Sequence, residues 1–176
     1  MQFTQPRYDR LTIILHWLTA LLVVLLWGIA QIIDDFPKGP LRVDARSAHI
    51  TLGVTLVVVL LVRLFHRATA GRKLPPADRG VLHIVAKAVH YALYLLVAGQ
   101  LALGLTLAWF RGDSLWNLYT LPGGGPANHD FSENLSDIHG TVATIILIVA
   151  GVHAAAALVH HFLWKDGTLR RMLPGA

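Results

Sequence analysis

The chain has 176 residues, 55 % hydrophobic and 14 % charged, with a mean hydropathy of +0.55 and a formal net charge of +5. Ordinary soluble domains are about a quarter charged, so this balance excludes a soluble globular enzyme, and it equally excludes disorder, which needs high charge and low hydrophobicity. The absence of cysteine excludes disulfides, iron–sulfur clusters, thiolate zinc sites, a cysteine nucleophile and covalent c-type haem attachment.

At this length one domain is expected, covering residues 1–176. Leu11–Ile33 runs 23 residues without Asp, Glu, Lys or Arg. A bilayer core takes about 20 helical residues, so a first transmembrane helix is predicted over about 11–33. The run exceeds the roughly 7–15 residues of a signal-peptide core and no small-residue cleavage site follows, so the helix is read as retained. The second charge-free run, Ser47–Val62, has 16 residues. Arg63 can keep its stem in lipid and its head at the interface, which extends the predicted helix to about 44–66. Ala88–Phe110 and Ile138–Trp164, 23 and 27 residues long, predict helices over about 83–110 and 137–164. The expected fold class is all-α, an integral membrane four-helix bundle in contact with the lipid bilayer.

The connecting segments set the orientation. Eleven basic residues lie at the N-terminus, in the second loop and in the tail, against four in the first and third loops. The positive-inside rule then places the N- and C-termini in the cytoplasm. The net charge is thus a topology signal, and no nucleic-acid partner is expected because no groove is lined with it. The first loop (Asp34, Asp35, Pro37, Gly39, Pro40) and the third (Leu121 to Pro126) read as irregular turns.

Ionisable residues within spans are rare and usually functional. Here the spans hold almost none except histidine. At about 1.5 Å per residue, His16 lies near the cytoplasmic start of the first helix, while His49 and His139 lie near the outer starts of the second and fourth. His153 follows His139 by 14 residues, about 21 Å deeper and on nearly the same face. Depth and helix direction pair His49 with His139 and His16 with His153. Two bis-histidine levels about 20 Å apart suit two stacked haems b, and Gly53, Gly140 and Gly151 leave room beside them. His90 stands as an alternative inner ligand. His160, one helical face from His153 and about 10 Å nearer the cytoplasm, suits a ligand beside the inner level. His66 and His129 have no ligand partner at matching depth, and His161 points about 100° away from His160.

Several strings carry a family resemblance: Leu15-His16-Trp17, Ala48-His49 with Gly53, Ile138-His139, Gly151-Val152-His153-Ala154 through His160-His161, and the tail Trp164-Lys165-Asp166 to Pro174. With these, the chain resembles the bacterial cytochrome b561 family and, more distantly, the cytochrome b subunits of membrane hydrogenases and formate dehydrogenases. The resemblance implies an inner-membrane electron-transport protein with two haems b, whose iron-binding, cofactor-binding residues match His16, His49, His139 and His153. It implies a superoxide oxidase, that is a superoxide:ubiquinone oxidoreductase, with periplasmic superoxide as donor and ubiquinone as acceptor at the position matching His160. Superoxide is an anion, and Arg46 and Arg111 offer steering charges at the outer end, although the third loop is net acidic. The resemblance assigns no further catalytic residue and leaves homo-oligomerisation open. A haem-binding anchor subunit fed by a periplasmic dehydrogenase is the alternative. A zinc or ion transporter fits worse, because its pathway would use carboxylates that the spans lack.

Overall fold

The computed structural model describes residues 7–123 and 129–174. Four long helices dominate it: α1 (Arg10–Ile33), α2 (Pro40–Thr69), α3 (Gly80–Arg111) and α4 (His129–Val159). The protein is an all-α membrane four-helix bundle, and all four helices are long and apolar enough to cross a bilayer. α1 packs on α2, α2 on α3, and α3 on α4. The shared core is Leu15, Leu22, Leu56, Val59, Leu60, Val97 and Ile146. The outward faces stay apolar, as in Leu95, which is 74 % exposed. Such faces belong in hydrocarbon, where the helix satisfies every backbone polar group internally.

The helices run past the charge-free stretches that mark them in the sequence. α2 has 30 residues, about 45 Å of helix against a core of about 30 Å. Its first turn starts at Pro40, whose missing N–H is free at that position anyway. α3 ends where Gly112 takes the left-handed conformation at φ 65°. There the Asp113 N–H donates to Ala108 O at 3.0 Å and closes the helix end.

The third loop opens with a hairpin, and the second half of the turn expected over Leu121 to Pro126 lies outside the described residues. Ser114–Leu115 (β1) and Tyr119–Thr120 (β2) pair antiparallel. Trp116 and Asn117 between them both have positive φ, 50° and 55°, the tight hairpin turn that follows strand twist. α2 holds this turn down. The Trp116 N–H donates to Thr51 Oγ1 at 3.2 Å and the Asn117 N–H to Ser47 Oγ at 3.0 Å, while the Asn117 amide donates to Asp44. Ser47 and Thr51 stand two residues either side of His49, so the hairpin lies along α2 at the level of that histidine.

At the opposite end the two termini meet. The Trp17 indole donates to Met172 O at 2.7 Å, and the Tyr8 N–H to Arg171 O at 3.2 Å. Arg171 in turn donates to Pro75 O at 2.8 Å. Asp9 is the hub beside them. Its carboxylate caps α1 through the Thr12 N–H at 2.9 Å, takes the Thr12 hydroxyl at 2.7 Å and the Arg72 N–H at 2.9 Å, and pairs with His66 Nε2 at 2.8 Å. Partial burial works to raise the Asp9 pKa, but these four partners outweigh it and hold the carboxyl far below the usual range.

Candidate functional site

The histidines within the spans come together in two places. At the hairpin end, His49 on α2 faces His139 on α4 with ring centroids 6.3 Å apart. At the end that carries the termini, His16 on α1 faces His153 on α4, again at 6.3 Å. The antiparallel course of successive helices produces both meetings. Two metal–imidazole bonds of about 2 Å each, plus the two ring radii, account for such a separation when one metal sits between the rings. His90 on α3 lies 5.0 Å from His153, too close for the two rings to hold opposite sides of one ion. Its Nδ1 donates to Ala86 O at 2.5 Å.

The hairpin-end pair opens on a cavity of about 300 Å³. His49, Gly53, Gly104, His139 and Gly140 line it, with Arg46, Arg111 and Asp113 at its polar edge and Trp27, Leu26, Leu101 and Ile146 as apolar wall. Arg46 pairs with Asp113 at 3.5 Å. Burial pushes the Asp113 carboxyl above its usual pKa, against the pull of Arg46 and Arg111. The two arginines singled out in the sequence are therefore brought to the same cavity as His49 and His139, but Asp113 partly offsets their charge.

The terminal-end pair has a cationic neighbour. Arg63 donates to His16 Nδ1 at 3.0 Å and lies over the Tyr94 ring at 5.1 Å. Further along α4, the chain leaves α-helical geometry for a π-helical turn over His160–Trp164. Such turns re-aim side chains and gather at functional sites. His160 stacks edge-on with Trp164 at 4.4 Å and bonds through Nδ1 to Asp166. Of the other histidines, His66 binds Asp9 and His161 packs on Phe162 at 4.8 Å, and the His129 side chain lies outside the described residues.

A family profile described as prokaryotic cytochrome b561 matches residues 7–175. The chain belongs to the prokaryotic cytochrome b561 family. Three relatives match over nearly their whole length, each at 30 % identity. A probable superoxide oxidase, CybB, from Yersinia pestis aligns over 171 residues, 96 % of both chains. Cytochrome b561 homolog 1 of Escherichia coli aligns over 173 residues, 96 % of this chain and 97 % of that one. Cytochrome b562 of Cereibacter sphaeroides aligns over 178 residues, 96 % of both. The protein is thus a bacterial membrane redox protein, a b-type cytochrome.

The residues present fit a haem b. Four imidazoles face each other in two pairs, Nδ1 of both His49 and His139 is buried with no hydrogen-bond partner in the protein, and an iron held by His16 would displace the Arg63 N–H from its lone pair. A Cβ built on Gly53 or Gly140, both of which line the outer cavity, meets nothing within 4 Å, so a flat ring has room beside His49 and His139. Gly104 is different, and nothing in its sequence position singles it out: a Cβ there would fall 2.9 Å from His139 Cε1. The contacts of Asp9, Arg63, Asp78 and Asp166 were equally invisible in the sequence, since each joins segments far apart along the chain or depends on the π-helical turn.

Proposed function

We propose that this cytochrome b561 binds two haems b and passes electrons across the bacterial inner membrane from superoxide to ubiquinone. His49 and His139 would hold an outer haem, and His16 and His153 an inner one. The observation that carries this reading is the equal 6.3 Å spacing of the two histidine pairs at opposite ends of the bundle. Held by two histidines, such a haem would supply one-electron transfer.

The chain's own residues do the rest. Arg46 and Arg111 at the edge of the outer cavity draw an anion toward it. Trp27, Leu26 and Leu101 keep its wall dry. Gly53 and Gly140 leave the ring space, and Gly104 leaves room for the His139 imidazole. His160, turned aside by the π-helical turn, faces the quinone headgroup and holds a proton for it. The termini lie in the cytoplasm, which the eleven basic residues flanking that end support. The superoxide assignment is supported by the name borne by the Yersinia relative and by the two arginines.

The test is direct. The purified protein should show a b-type spectrum with two haems per chain, and superoxide should drive quinone reduction by the isolated protein. A single haem would defeat the paired-ligand reading. Activity only in a complex with a dehydrogenase subunit would favour the anchor-subunit reading.

A further inference from the structure

Around His160 the bundle gathers groups from three separate segments. Asp166 from the tail accepts from Nδ1, and its other oxygen takes the Thr168 N–H at 2.9 Å. Asp78, from the loop between α2 and α3, places Oδ2 3.9 Å from Nε2. Trp164 packs against the ring face. Among the described contacts, Asp166 and Asp78 are the charged groups facing this imidazole. The His160 side chain is only 12 % exposed, and those of Asp78 and Asp166 are 17 % and 32 % exposed, so the cluster connects a nearly enclosed ring to water.

We propose that Asp166 and Asp78 make His160 the proton donor for quinone reduction, Asp166 by holding the Nδ1–H and Asp78 by returning a proton to Nε2 from the aqueous side. This rests on His160 being the quinone-facing residue. The two carboxylates stand at opposite nitrogens of one ring. With one atom from each, Asp78, His160 and Asp166 lie within 4.8 Å of one another, a spacing that would also suit a metal ion. An imidazole gripped at Nδ1 is fixed in one tautomer and orientation, with Nε2 left to exchange a proton, as in other carboxylate–histidine pairs. Burial works to raise the Asp166 pKa, but the bonds from His160 and Thr168 overcome it and keep the carboxyl below its ordinary value. Asp166 therefore stays an acceptor at neutral pH.

The chemistry balances as follows. A quinone becomes a quinol by gaining two electrons and two protons. The two electrons would come from two superoxides, each leaving as dioxygen. The quinone oxygen nearest Nε2 takes the His160 proton and forms its O–H bond. His160 becomes neutral and is reloaded through Asp78, and the second oxygen draws its proton from cytoplasmic water. Asp166 and Asp78 are positioning and proton-relay residues, and neither touches the quinone.

The experiment uses the haem-loaded protein, reduced with dithionite, freed of excess reductant and mixed with a short-chain ubiquinone. Haem reoxidation is followed by stopped flow across a pH series, with no superoxide present. Asp166→Asn should slow reoxidation by roughly 100-fold, as loss of a positioned acid does, while the haem spectrum and content stay as in the wild type. Asp166→Glu should restore most of the rate. Asp78→Asn should slow reoxidation by roughly 10-fold, because the route that returns a proton to Nε2 is cut. Wild-type rates and pH profiles in both Asn variants, with normal reoxidation of the wild type, would overturn the relay. Failure of the wild type itself to be reoxidised would instead remove the quinone from His160, and the relay with it. If Asp166→Asn yields no haem-loaded protein, Asp78→Asn, which leaves the Thr168 cap untouched, decides the question.

Discussion

Gly104 on α3 lies against the His139 ring on α4, so close that a Cβ would come within 2.9 Å of Cε1. The ring is edged by α3 on that side and faces His49 on the other. Gly104→Ala should therefore tilt His139 and weaken the outer haem by about 10-fold or more in affinity, the range seen when groups behind a ligand are disturbed. Titration of the apoprotein with haem, read at the Soret band, checks this. An unchanged affinity would show that α3 yields.

The ligand pairing predicts selective losses. His153→Ala should halve the haem-to-protein ratio by removing the inner haem, and His49→Ala should halve it by removing the outer one. The two remaining spectra should differ, and their sum should reproduce the wild type. Loss of both haems in either variant would speak against independent sites.

Asp113 and Arg46 predict changes of opposite sign. Arg46→Gln should cut superoxide-driven haem reduction by roughly 10-fold at low salt, with the difference shrinking as salt rises. Asp113→Asn should speed it, because Arg46 loses its partner at 3.5 Å. The Asp113 carboxyl is raised above its unfolded value, so the native state holds its proton more tightly. The stability that this contributes is complete below the unfolded pKa and is lost as pH rises through the folded one. At neutral pH, Asp113→Asn should accordingly not lower the melting temperature.

Asp9 predicts an acid limit. Its folded pKa lies far below the ordinary 3.8, so its stabilisation is present above that value and is lost as pH falls toward the folded pKa. Asp9→Ala should cost about 1 kcal/mol through the α1 cap, with more from the severed His66 and Arg72 contacts. Thermal melts taken from neutral pH to about pH 3, just below the ordinary carboxylate value, should show the gap between variant and wild type narrowing without closing, because the folded carboxyl is still ionised there.

The four spans were legible because length and the absence of charge are local properties of a sequence. The pairing of His49 with His139 and His16 with His153 was legible too, because a helix converts residue number into depth. Lateral neighbours were not. Gly104 meets His139, and Asp78 meets His160, only through the packing of α3, α4 and the intervening loop, and no spacing rule records that. The hairpin escaped for a different reason. Its turn uses Trp116 and Asn117 where the usual signal is Asn-Gly, and hydroxyls of α2 hold it in place.

The terminal end has an implication for biogenesis. Tyr8 is tied to Arg171, Trp17 to Met172, and the Pro75 carbonyl to the Arg171 guanidinium. A ribosome that has made the first three helices has made none of those tail partners. Asp78 must wait with the loop until α4 has inserted and His160 has arrived. This end of the bundle is therefore completed only as the last residues emerge, and a nascent chain stalled before them would carry every span and both histidine levels but no finished floor.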